Sequence, residues 1–127
     1  MTRPYSFRPC QRLRSAADFE RVYRSGRRAG DGLFAVNALD NEVGFARLGM
    51  SVSTRTVGNS VRRNRVRRII RELFRLRHAT LPPLDFVVTS RPGARGADRP
   101  AIETSLERLF AEATRKLAAA PAPAPRH

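Results

Sequence analysis

Among 127 residues there is one cysteine, Cys10, one lysine, Lys116, two histidines and no tryptophan. A single thiol excludes an internal disulfide and leaves no thiolate cluster for zinc. No apolar run approaches the roughly 20 residues that a membrane span requires. The opening stretch MTRPYSFRPCQRLR has no apolar middle region of the secretory kind. A soluble cytoplasmic protein with no membrane partner is the expectation. Catalytic chemistry is equally thin. The histidines are His78, at an expected helix end, and His127, the last residue, while the acids are scattered without paired-carboxylate or metal-ligand spacing. No catalytic residue and no metal bound by the protein alone is expected.

Positive charge is what the chain has in excess. Twenty-five basic residues against 11 acidic ones give a net charge of +14, and every basic residue except Lys116 is arginine. A coding bias explains the ratio of arginine to lysine, but not the surplus of charge. Charge of this size opposes compaction unless a polyanion neutralises it, so nucleic acid or an anionic membrane surface is implied. The planar guanidinium fork suits bidentate phosphate contacts and stacking on bases, which favours nucleic acid. The length and a hydrophobic content of 41% allow one modest core.

Residues 1–12 are basic and interrupted by Pro4 and Pro9, which reads as an extended arm. LRSAADFERVYRSG reads as a first helix, with Ser15 as N-cap, Asp18 at the capping-box position and Gly26 as the stop. Phe19, Val22 and Tyr23 share one side of it. RRAGD can supply a short edge strand, and LFAVNALD (33–40) a longer one, followed by a turn at Asn41–Glu42. VGFARLGMSVSTR then alternates: Leu48, Met50 and Val52 point one way, and Arg47, Gly49, Ser51, Ser53 and Arg55 the other. Gly58–Asn59 ends that strand and opens a helix whose Val66, Ile69, Ile70, Leu73, Phe74 and Leu76 form an apolar arc. Pro82–Pro83 stops the helix. LDFVVTSRP reads as a buried strand, GARGAD as a flexible basic loop, and the stretch from Pro100 as a last helix carrying Ile102, Leu106, Leu109, Phe110, Ala113 and Leu117. The Ala/Pro tail, 118–127, reads as disordered. The expected fold is one α+β domain over 13–117.

Six arginines fall in the ten residues from Arg62 to Arg71. Neighbours at i+3 and i+4 repel by a few tenths of a kcal/mol per pair, and a merely soluble face would mix the signs. A phosphate-binding face accounts for the run. The preceding strand has a small, polar and basic face, which suits a surface tracking an RNA backbone with a groove for single strands.

The residues 51–75, SVSTRTVGNSVRRNRVRRIIRELFR, resemble the signature of the bacterial ribonuclease P protein component: a strand ending in small and basic residues, then a basic helix around Arg63-Asn64-Arg65. LRSAADFERVYRSGRR, LDFVVTSRPGA and TSLERLFAEATRKL resemble that family's first helix, late strand and closing helix, so the likeness spans 13–117. It implies an αβββαβα order in a ribosomal-protein-like two-layer sandwich with a left-handed βαβ crossover, the rarer hand. It also implies a protein subunit of an RNA-catalysed endoribonuclease. The RNA subunit would cut precursor tRNA to release the 5′ leader, using Mg²⁺ held mainly by RNA and substrate. The protein would bind ribonuclease P RNA and the leader, with no obligate protein partner.

Two surfaces follow from the resemblance. Arg62, Arg63, Asn64, Arg65, Arg67, Arg68 and Arg71 match the element that docks the ribozyme. Asn64 either reads a base or sugar edge or braces its neighbours. A cleft between the first helix and the open sheet face would hold the leader, with Phe19 and Tyr23 either stacking on bases or packing in the core. Asn37, Arg47, Ser51, Ser53 and Arg55 would make its floor and Arg91 its wall, while Phe45 and Phe86 belong to the core. The family often has an aromatic where Asn37 stands, and two basic residues where Thr54 and Arg55 stand. A structured-RNA binder without a role in cleavage, a DNA-binding regulator and a stand-alone nuclease are the rival readings. No helix lies directly before the basic one to make a helix-turn-helix.

Overall fold

The computed structural model describes residues 11–119; the expected arm up to Cys10 and the tail from 120 lie outside the described residues. Helix α1 spans Ala16–Ser25. The Ser15 hydroxyl accepts the Asp18 N–H at 3.1 Å, and the Gly26 N–H closes the last turn on the Val22 carbonyl at 2.9 Å. Both caps stand where the sequence places them. Four strands follow, β1 (Arg27–Gly30), β2 (Phe34–Asp40), β3 (Arg47–Ser51) and β4 (Leu84–Ser90). They form one sheet in the order β1-β2-β4-β3. The β1–β2 and β2–β4 pairs are antiparallel, and β3–β4 is parallel. A parallel pair needs a long crossover, here a four-residue helix α2 (Thr54–Val57) and the 18-residue α3 (Ser60–Arg77). Helix α4 (Arg99–Ala119) closes the fold.

Strand alternation divides the sheet into two faces. Phe34, Val36, Ala38, Leu48, Phe86 and Val88 share a core with Ile70, Leu73 and Phe74 of α3 and with Ile102, Leu106, Leu109 and Phe110 of α4. Phe86 meets Phe110 edge to face at 5.1 Å and 86°, and each such buried ring contributes roughly 1.5–3 kcal/mol. On the other face a smaller cluster joins Leu13, Val22 and Val87, with Phe19 and Leu39 packed against it. The sheet and the α3–α4 layer are the expected sandwich; α1 covers part of the sheet's second face.

Several expectations need correction. The strand expected to run to Arg55 stops at Ser51. Ser53 instead caps α2, accepting the Thr56 N–H at 3.3 Å, and Thr56 shares a 2.6 Å hydrogen bond with the Ser90 hydroxyl. Local Ser/Thr bonding of this kind competes with a strand ladder. GARGAD is not a free loop: Pro92–Arg95 form a 3₁₀ turn with Ala94 buried, and the Gly93 N–H donates to the Gly32 carbonyl at 3.0 Å. Gln11 and Arg12, counted with the arm, belong to the fold, since Arg12 bridges to Leu48 in parallel. Ala118 and Ala119, counted with the tail, are helical. Phe45 and Leu76 are exposed.

Candidate nucleic-acid interface

Helix α3 begins where Gly58 takes φ +106°, a region that L side chains rarely adopt, and Asn59 caps it by accepting the Arg62 N–H at 3.0 Å. Its apolar arc, Val66, Ile69, Ile70, Leu73 and Phe74, is buried as the spacing requires. The turn of the helix therefore puts the arginines outside. Arg62, Asn64, Arg65, Arg68 and Arg71 are exposed, and Arg63 and Arg67 are half-buried. Arg65 donates to the Ala97 carbonyl at 3.2 Å. Glu72, the acid that follows the run, is taken by Arg75, whose hydrogen bond holds the carboxyl below its usual value. Among the described residues no carboxylate pairs with Arg62, Arg63, Arg67, Arg68 or Arg71. None of the six arginines from Arg62 to Arg71 has a counter-charge there, and Arg67, Arg68 and Arg71 share the side of the helix away from the apolar arc.

Around α1 the expected cleft residues separate into two groups. Phe19 lies on Gly49, where a Cβ would sit 2.8 Å from the ring, and it packs against the smaller core while staying half-exposed. Tyr23 is 39% exposed, meets Phe19 edge to face at 6.3 Å, and shares a 3.0 Å hydrogen bond with the Thr89 hydroxyl. Ser51 is half-buried on the same sheet face. These keep an aromatic and polar surface open.

The other residues are diverted. Asn37 is on the right face, but only 3% exposed, and its Oδ1 is buried with no hydrogen-bond partner. Ser53 and Arg55 leave the sheet with α2. The Arg91 guanidinium donates to the Asp31 carbonyl at 2.7 Å and lies over Gly30. Arg47 is committed to Asp85 through a two-pronged contact, Nε to Oδ1 at 2.7 Å and Nη2 to Oδ2 at 2.8 Å. Asp85 also accepts from Asn41 at 2.9 Å and from Arg21. Burial alone would raise the Asp85 pKa; Arg47, Arg21 and Asn41 outweigh it and hold the carboxyl below its ordinary value.

Sequence reasoning missed this carboxylate. The signal was a lone acid inside the buried strand LDFVV, which must find cations on the facing elements. It also missed Arg12 and Arg14, which line a cleft of about 390 Å³ together with Arg67 and Arg71 of α3. The alternation Arg-Leu-Arg over 12–14, a short extended stretch, was the available cue.

The family model Ribonuclease P matches residues 7–114. A ribonuclease P protein component of Syntrophobacter fumaroxidans is 47% identical over 90 residues, covering 69% of this chain and 75% of that one. The solved Staphylococcus aureus RNase P protein superposes with a TM-score of 0.77 at 33% identity, over 84% of this chain and 96% of that one. The RNase P protein from Thermotoga maritima gives 0.71 at 29% identity, over 80% and 96%.

Proposed function

Because the chain belongs to the ribonuclease P protein component family, it is the protein subunit of a ribonucleoprotein endoribonuclease of tRNA 5′ maturation, and we propose how its surfaces divide that work. Helix α3 docks on ribonuclease P RNA, with Arg62, Arg63, Arg65, Arg67, Arg68 and Arg71 neutralising phosphates and the exposed Asn64 offering its amide to a base or sugar edge. The observation that carries this reading is the run of six guanidiniums on α3 without a carboxylate partner among the described residues, three of them, Arg67, Arg68 and Arg71, on the side away from the apolar arc. Such a face repels itself until a polyanion covers it.

The α1 side of the sheet receives the single-stranded 5′ leader of precursor tRNA in the cytoplasm. Phe19, backed by Gly49, offers a ring face to a base, Tyr23 adds a second aromatic edge, and Ser51 offers a hydroxyl. Stacking tolerates every base, so contact here depends little on leader sequence. Arg47 acts as a brace for β3 and β4 rather than as a phosphate contact, since Asp85 occupies its fork. Arg55 stands apart on α2, and Arg91 anchors the loop before β2.

Mg²⁺ belongs to the RNA and the substrate in this proposal. Three carboxylates that the fold draws inward or into the arginine helix are already taken: Asp85 by Arg47, Arg21 and Asn41, Asp31 by Ser105, Arg108 and two backbone N–H groups, and Glu72 by Arg75. An octahedral Mg²⁺ needs free carboxylate oxygens.

The test is to incubate the protein with precursor tRNA at low Mg²⁺, with and without a ribonuclease P RNA. Cleavage at the mature 5′ end is expected only when both subunits are present. Cleavage by the protein alone, or no stimulation of the RNA at any Mg²⁺ concentration, would overturn the proposal.

A further inference from the structure

The cleft between residues 12–14, β3 and α3 has a composition that phosphate neutralisation alone does not require. Arg12, Arg14, Arg67 and Arg71 line it, but so do Leu13, Leu48 and Met50. Its volume of about 390 Å³ falls in the range of small-molecule sites, roughly 300–1,000 Å³. The walls are fixed from both sides. The Leu13 N–H donates to the Leu48 carbonyl at 2.8 Å, which ties the 12–14 segment to the open edge of β3. Arg67 and Arg71, one helical turn apart, project from the opposite wall. A second hollow of about 300 Å³, lined by Arg12, Arg68, Arg71, Glu72 and Arg75, adjoins it through Arg12 and Arg71.

Resting on the docking role of α3, we propose that this cleft is a socket for one unstacked nucleotide of the RNA subunit. The base or ribose lies on the half-buried Met50 and on the aliphatic stems of the arginines, over the buried Leu48, and the flanking phosphates reach Arg67, Arg71 and Arg14. Charge on the rim selects a polyanion, and the apolar lining selects one that presents a flat, weakly hydrated face. The polarisable thioether of Met50 is well suited to contact with an aromatic ring. Arg67 and Arg71 of α3 make one wall of the socket and its Leu48 and Met50 face the α3-side core, with Leu13 at the β3 edge turned to the α1-side cluster. Tyr23 and Thr89 lie on the α1 side, away from the socket. Its occupant is therefore the docked RNA and not the leader.

The test uses full-length protein and a ribonuclease P RNA, with binding measured across a salt series. Met50→Gln keeps the side chain's length but removes its apolar character; it is expected to weaken binding about 5- to 10-fold with the salt slope unchanged. Met50→Leu, which keeps the apolar floor, is expected to bind within twofold of the parent. Arg71→Ala is expected to weaken binding and lower the salt slope by about one unit. A photoreactive methionine at position 50 is expected to crosslink to one RNA position. Met50→Gln binding as tightly as the parent while Arg68→Ala still weakens binding would sink the socket and leave the docking role standing. Loss of effect in both would sink the two together. Crosslinks scattered over the RNA, or confined to the protein's own first ten residues, would also overturn the socket.

Discussion

Asp85 shows how much can rest on one side chain. It is the fully buried acid of β4, and it joins β3 through Arg47, the β2–β3 turn through Asn41 and α1 through Arg21. Removing it strands two guanidiniums, so Asp85→Ala should cost about 3 kcal/mol in urea unfolding. Because its folded pKa is depressed, the unfolded chain takes up the proton first, near the ordinary value of about 4. The stabilisation is complete above that pH and declines as the pH falls below it. Asp85→Asn should flatten this acid-side loss, which denaturation curves from pH 5 to pH 2.5 would reveal. Phe19 supplies a second test at this scale. Phe19→Ala should weaken leader binding more than RNA-subunit binding in parallel titrations; an equal loss of both would mark a packing defect. Asn37 and Arg47 illustrate what one sequence cannot supply. Alternation places both on the correct face, but whether a side chain is covered or captured depends on residues far along the chain, as with Arg47 and Asp85, 38 positions apart.

At the level of the element, α3 was the most legible part of the chain. Its cap follows from Gly58–Asn59, and its arc (Leu76 apart) and the outward Arg67, Arg68 and Arg71 follow from the 3.6-residue period, because a long amphipathic helix carries its own instructions. The α2 turn was not legible, since Ser53 and Thr54 fit an alternating strand as well as a cap. The Ser90 hydroxyl, brought in by β4, bonds both the Ser53 N–H and Thr56 and so favours the cap. Two changes probe this stretch. Gly58→Ala, at φ +106° and with the Arg62 side chain 3.3 Å from the new methyl, should destabilise by about 1–2 kcal/mol in thermal or urea unfolding. Arg68→Ala should leave unfolding unchanged, yet reduce the salt slope of RNA binding by about one unit.

The whole molecule carries +14, much of it concentrated on a face that nothing in the described chain neutralises. Self-repulsion should make the free protein less stable at low ionic strength. Raising NaCl from 20 to 300 mM shortens the Debye length to well below the width of that face. The melting temperature should then rise by about 5 °C, equivalent to roughly 1 kcal/mol for a domain of this size. A calorimetric series in NaCl would check it, and a flat or falling profile would contradict it. Composition alone revealed this property, since charge sums without regard to fold, whereas the partnership of Arg12 and Arg14 with α3 required the sheet edge to bring them together.

Of the four described strands, β4, one of the two inner ones, is synthesised last. β2 and β3 leave the ribosome with no ladder between them, and the slot stays vacant until Leu84–Ser90 emerges behind α3. A nascent chain arrested before Leu84 would therefore be open to proteases along the β2 and β3 edges that β4 later covers, with its basic helix already outside. It would meet nucleic acid before its tertiary structure was complete.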